Sequence, residues 1–166
     1  MGCMDDSGER PHEEVAGAQF EPDAAFALEM AGLAAHYAER GRDLAVSLDF
    51  SDSSIEDADG IGIQMYAALP RGASSGKLEE LRSVLARELG AYFGETFIRN
   101  HGGQWGWLAA TGNSVFGLRT AAGLSAFPLS KARKRLQGAE NDSLGSLYRW
   151  LWHWPETQQR RRASAP

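Results

Sequence analysis

Between Lys77 and His101 the residues Leu78, Leu81, Leu85, Leu89, Tyr92, Phe93 and Thr96 recur with the period of an α-helix, and the run stops at Gly102-Gly103. No other segment constrains the fold as strongly. A helix of this length must run through the core, and every other element has to find a place against it. It also carries Gly90 and Gly94, four residues apart and therefore on one face. A glycine inside a helix costs roughly 1 kcal/mol relative to alanine. Close approach of a neighbouring element to that small-residue face is the expected compensation.

The flanking segments are shorter. Pro22-Asp23 opens a helix whose apolar side is Phe26, Met30, Leu33 and Tyr37, and Gly41 is expected to stop it with a left-handed cap. Alternation of Leu44, Val46 and Leu48 predicts a short strand. Asp52 or Ser53 suits the N-cap of a second helix, with Glu56 three residues after Ser53 completing a capping box, and Pro70 and Gly72 end that helix. After the double glycine, residues 104–108 and 114–119 predict a hairpin across Thr111-Gly112-Asn113, followed by a third short strand at 124–127. Pro128 opens a basic helix, and Asp142 or Ser143 caps a last one with the inner face Leu144, Leu147, Tyr148 and Leu151, ended by Pro155. The fold class expected is α+β: helices packed on a small antiparallel sheet, with the long helix 77–101 at the centre.

The chain has 166 residues, which suits one domain, here placed at 23–154. Residues 1–22 mix glycine, proline and acids with little to bury and are expected to be a disordered acidic segment; 155–166 are expected to be a flexible basic tail. A single cysteine, Cys3, excludes an internal disulfide and any cysteine-cluster metal site. There is no apolar run of membrane-spanning length and no secretory h-region, and Asp6 stands where a myristoylation motif needs Ser or Thr. A cytoplasmic setting without membrane contact is expected.

Charge is uneven along the chain. Residues 1–60 hold three arginines and fifteen acids, net −12, whereas residues 61–166 hold fourteen Lys/Arg and seven acids, net +7. Folding the two halves together would offset the positive charge of the second against the larger negative charge of the first. The overall charge of −5 argues against generic nucleic-acid binding, although Lys131, Arg133, Lys134 and Arg135, followed by Trp150, Trp152 and Trp154, make a basic and aromatic stretch over 131–154.

Candidate site residues cluster around the end of the long helix. Glu95 and Arg99 have the i, i+4 order of a helical ion pair, and aromatic neighbours favour partial burial. His101 stands in the last turn, where a charged imidazole suits the helix dipole. Trp105 and Trp107 share one face of their strand and would serve as core if covered or as a recognition patch if bare. Scattered histidines, the failed EF-hand spacing at 49–59, and the absence of a P-loop, nucleophile elbow or dinucleotide fingerprint leave no cofactor and no metal expected.

Three blocks, Asp49-Phe50-Ser51…Ser54-Ile55…Asp59, Gly90-Ala91-Tyr92-Phe93-Gly94-Glu95…Arg99…Gly102-Gly103…Trp105 and Phe127-Pro128…Lys134-Arg135-Leu136, give about half the chain a resemblance. It resembles small bacterial proteins, of actinobacterial type, classed as domains of unknown function, with a Gly-Glu…Arg…Gly-Gly-x-Trp motif. The resemblance implies a compact α+β fold in a bacterial cytoplasm and brings no activity with it. The function expected is a non-catalytic protein-interaction module, regulatory, immunity-like or accessory, contacting a protein partner through Glu95, Arg99, His101, Trp105 and Trp107. Two alternatives stand beside it: an enzyme with Glu95, Arg99 and His101 in one cleft, and nucleic-acid binding through 131–154.

Overall fold

The computed structural model describes residues 19–110, 113–138 and 143–163. In chain order the elements are β1 (Gln19–Pro22), α1 (Ala24–Asp43), α2 (Ser54–Ala67), α3 (Ser75–His101), β2 (Gly103–Ala110), β3 (Asn113–Thr120), β4 (Ser125–Ala126), α4 (Pro128–Leu136) and α5 (Leu144–Ala163). The four strands form one antiparallel sheet in the order β1-β2-β3-β4. The α+β architecture is as expected, with α3 at its centre.

The small-residue side of α3 is covered. A Cβ placed on Gly90 would lie 2.7 Å from the Cα of Leu129, so the first turn of α4 rests on the backbone of α3. One placed on Gly94 would lie 2.1 Å from Cζ2 of Trp105, so the indole of β2 occupies the space that a side chain would take. The missing side chains are thus exchanged for close helix–helix and helix–sheet contact. The middle of α3, from Leu85 to Phe97, is buried almost without interruption. Its helix ends at Gly102 and Gly103, both at positive φ, which turn the chain directly into β2.

Strand alternation sets one face of the sheet toward the helices. Trp105 pairs with Leu118 and Trp107 with Phe116, all on that face. Phe26 of α1 stacks on Phe116 at 3.6 Å between centroids and meets Trp105 edge-on at 5.8 Å. On α5, Leu144, Leu147, Tyr148 and Leu151 are buried as expected.

Five expectations need correction. Residues 19–22, assigned to a disordered segment, form strand β1; residues 1–18 lie outside the described residues. Phe20 of β1 covers Gly106, whose Cβ would meet the Phe20 ring at 2.7 Å, so the strand is held by pairing with a partner far along the chain. Asp23 N–H donates to the Trp105 carbonyl at 3.1 Å. Ladder alternation then turns the backbone groups of Phe20 and Pro22 outward, and Pro22 has no N–H to offer there, which blunts the sheet edge.

Residues 44–48 are not a strand, and Gly41 does not end α1. The left-handed residue is Ala45, φ 59°, with Ala45 N–H on the Arg42 carbonyl (3.0 Å) and Val46 N–H on the Gly41 carbonyl (2.9 Å), a Schellman ending. Gly41 is needed for space: its Cβ would lie 2.8 Å from Cγ of Leu48, which folds back over the helix. The capping box at Ser53 is not formed; Ser53 has helical φ/ψ and makes no side-chain cap bond. Finally, α5 passes through Pro155 to Ala163 instead of ending there. Proline's φ is itself helical, and α5 continues although Pro155 removes one hydrogen bond and crowds the carbonyl four residues before it. The hairpin residues Thr111 and Gly112, the cap Asp142 and residues 164–166 of the tail lie outside the described residues.

Candidate functional site

The residues expected at a site fall into two networks joined by Arg99. In the first, the Glu95 carboxylate accepts from Trp105 Nε1 at 2.9 Å, and Arg99 Nε stands 3.7 Å from its other oxygen. Glu95 is buried, and Trp105 is only 2% exposed. This carboxylate satisfies an indole N–H that would otherwise be buried without a partner, a structural role. The tryptophan pair is divided: Trp105 is core, while the half-buried Trp107 donates from Nε1 to Asp23 Oδ2 at 3.1 Å. Trp107 also lines, with Gln19, Phe20, Glu21, Ala109 and Ser114, an open groove of about 640 Å³ at the β1 side of the sheet.

The second network surrounds the loop between α1 and α2. Phe50 has φ 61°, a left-handed conformation that costs a non-glycine residue roughly 1–2 kcal/mol. Several side chains of α3 hold it there. The Phe50 N–H donates to Tyr92 Oη at 3.0 Å, and Asn100 Nδ2 donates to its carbonyl at 2.8 Å. The ring lies against Tyr92, 4.8 Å between centroids, with the Arg99 guanidinium 3.7 Å from its own centroid. Ser54 Oγ donates to the Ser51 carbonyl at 2.7 Å. With its proton spent, Ser54 accepts from Tyr92 Oη at 2.6 Å, which closes a chain from Phe50 N–H through Tyr92 and Ser54 to Ser51.

The strained loop presents Asp52. Its Oδ1 accepts from Tyr148 Oη at 2.5 Å and lies 3.0 Å from His101 Nε2. A carboxylate only accepts, so Nε2 of His101 carries the proton and Nδ1 is the nitrogen left to accept in the neutral ring. Burial, reinforced by the Asp52 hydrogen bond, raises the Tyr148 hydroxyl above its ordinary range. Hydrogen bonds from Ser51 hold Asp49 below the usual carboxylate range. The His101 ring sits among Phe97, Tyr148 and Trp152, with centroids at 5.0, 5.7 and 5.1 Å. Trp152 is 44% exposed, so an indole stands in solvent on an imidazole that Asp52 fixes.

Glu95 and His101 therefore face different partners, and Glu95, Arg99 and His101 do not converge on one cleft. The sequence pattern does not single out Asp52 or Tyr148 as site residues: Asp52 reads as a helix cap and Tyr148 as part of the inner face of α5, while Trp152 reads as part of the basic and aromatic stretch 131–154. Residues 49–54 and α3 meet at this seam through Phe50, Ser54, Tyr92 and Asn100.

The basic helix α4 is partly neutralised from the acidic half of the chain and from α3. Arg135 makes a two-oxygen contact with Asp59, 3.1 Å to each oxygen from Nε, and Arg133 meets Glu79 at 2.9 Å. Trp150 stacks near Trp154 at 4.9 Å. No cluster of three or more metal-ligating side chains occurs among the described residues, and no helix there is long and apolar enough to cross a membrane. Comparison of the chain with protein-family models, curated proteins and solved structures found no match.

Proposed function

We propose that this chain is a non-catalytic protein-interaction module, regulatory, immunity-like or accessory in role and bacterial and cytoplasmic in setting, with its contact surface at the seam of the 49–54 loop, the end of α3 and α5. The observation that carries this reading is Trp152: an indole 44% exposed, resting on His101, which Asp52 and the buried aromatics hold in place. Tryptophan is a residue type that dominates binding interfaces, and an aromatic already fixed in place loses little entropy on binding. The strained Phe50 loop fits the same reading, because strain persists where the surroundings over-determine a conformation that function uses. The chemistry-bearing groups nearby are engaged with one another, which suits a rigid contact surface.

The test is comparative capture. Immobilised wild-type chain, Trp152→Ala and Leu28→Ala are exposed to native bacterial lysate, Leu28 being an exposed apolar residue on α1 outside this seam. A protein retained by wild type and Leu28→Ala and lost from Trp152→Ala is expected, with a loss of at least about 2 kcal/mol of binding energy. Identical retention on all three would refute the surface. Circular dichroism melts confirm that the variants are folded.

A further inference from the structure

We propose that the surface formed by Asp52 and Trp152 receives a cationic side chain, arginine or lysine, from a basic segment of the partner; this rests on the interaction reading above and names the chemistry it recognises. Two independent features lead to it. The first is geometric. Asp52 and Trp152 both contact one imidazole, the carboxylate at Nε2 and the indole by ring contact at 5.1 Å. A carboxylate and an exposed indole are thus both fixed against one imidazole, with the His153 ring also on the indole at 4.6 Å between centroids. Asp52 directs both its hydrogen bonds to Oδ1, and its side chain is 40% exposed. A carboxylate has roughly four lone-pair positions, so Oδ2 retains acceptor capacity on the solvent side. Tryptophan is the strongest aromatic partner for a cation.

The second feature is charge. Residues 49–60 hold five acids and no lysine or arginine. Two of them are neutralised from other elements, Asp59 by Arg135 and Glu56 by Arg149. Asp49, Asp52 and Asp57 form no ion pair with lysine or arginine among the described residues. The nearby cation Arg99 is committed to Glu95 and to the face of Phe50. The seam therefore keeps an excess of negative charge beside its exposed indole, which favours a positively charged occupant and speeds its encounter.

The probes are a short blocked peptide alternating glycine and arginine, its lysine analogue, and its glutamine analogue. Each is titrated into the 15N-labelled full chain, and the indole N–H resonance of Trp152, assigned through Trp152→Phe, is followed. Saturable shifts are expected with the arginine and lysine peptides and none with the glutamine peptide. Asp52→Asn should weaken the cationic peptides about fivefold or more, because it removes the charge and keeps an acceptor at Oδ1 for Tyr148 and His101. Glu80→Gln, on the far part of α3, should bind as wild type does. Equal binding of the glutamine peptide, or unchanged affinity of folded Asp52→Asn, would overturn the proposal; if Asp52→Asn fails to fold, binding of all three peptides by Trp152→Ala at wild-type affinity would overturn it instead. Loss of a lysate protein on Trp152→Ala without any cationic-peptide binding would leave the interaction surface standing and reject the cation. No dependence on Trp152 in either assay would reject both.

Discussion

Replacing Gly94 by alanine adds one methyl group at the most crowded point of the fold. Its Cβ would stand 2.1 Å from Cζ2, 2.3 Å from Cη2 and 3.1 Å from Cε2 of Trp105. Carbon atoms at rest stay about 3.5–4.0 Å apart, so the indole would have to withdraw by about 1.5 Å. It has nowhere to go: Nε1 is tied to Glu95 at 2.9 Å, and the edge of the ring meets Phe26. Moving the ring strains the core, typically by 1–3 kcal/mol as a rough guide; expelling it approaches the roughly 3–5 kcal/mol of losing a buried tryptophan and strands the Glu95 carboxylate. Alanine returns about 1 kcal/mol through helix propensity. The net expectation is a loss of about 2–4 kcal/mol, read as a fall in Tm of roughly 5–15 °C for a chain of this size. Gly32→Ala and Gly60→Ala supply the control, since nothing lies within 4 Å of either Cβ. Both sit inside helices and should gain up to about 1 kcal/mol. Thermal and urea unfolding of the three variants would decide it. If Gly94→Ala melts at or above the wild type, the close contact of α3 with β2 is not what the glycine serves.

Ala45→Gly removes the cost of a left-handed alanine at the exposed Schellman position and should stabilise the chain by about 1 kcal/mol in urea unfolding; a loss of stability would contradict the cap geometry. Burial raises the Tyr37 hydroxyl above its ordinary range, and the charges of Asp59 and Glu88 add to the effect. Below about pH 10 the tyrosine is neutral in both the folded and the unfolded chain and contributes no pH dependence. Above that, only the unfolded chain ionises, so stability should fall by about 1.4 kcal/mol per pH unit for this one proton. Urea midpoints measured through the alkaline range would show the decline, and Tyr37→Phe should lessen its slope by this one proton, the contribution of the raised Tyr148 hydroxyl remaining.

How far the sequence could be read depended on the distance over which each feature is decided. The long helix, the buried face of α5 and the three strands after Gly103 follow from periodicity and glycine or proline punctuation within a few residues of one another. Such patterns fix which side of an element is apolar, and so they specify an α+β class. The pressure on Gly90 and Gly94 was legible too, because two costly glycines on one helical face require a neighbour. Which neighbours, the backbone of Leu129 and the indole of Trp105, was not.

What the tertiary structure alone decided are choices between two uses of the same residue. Gly41 could supply left-handed φ or space; Leu48 folding onto it makes it the latter and moves the left-handed position to Ala45. Phe20 and its neighbours have too little apolar content to specify a strand, and become one by pairing with a segment almost ninety residues away. Asp52 could cap α2 or reach outward; it meets His101 across 49 residues and Tyr148 across 96. Backbone hydrogen bonding and amphipathic spacing are local and leave a local trace. A hydrogen bond between distant side chains leaves none, because any acid could accept it and only the packed helices determine which one is near.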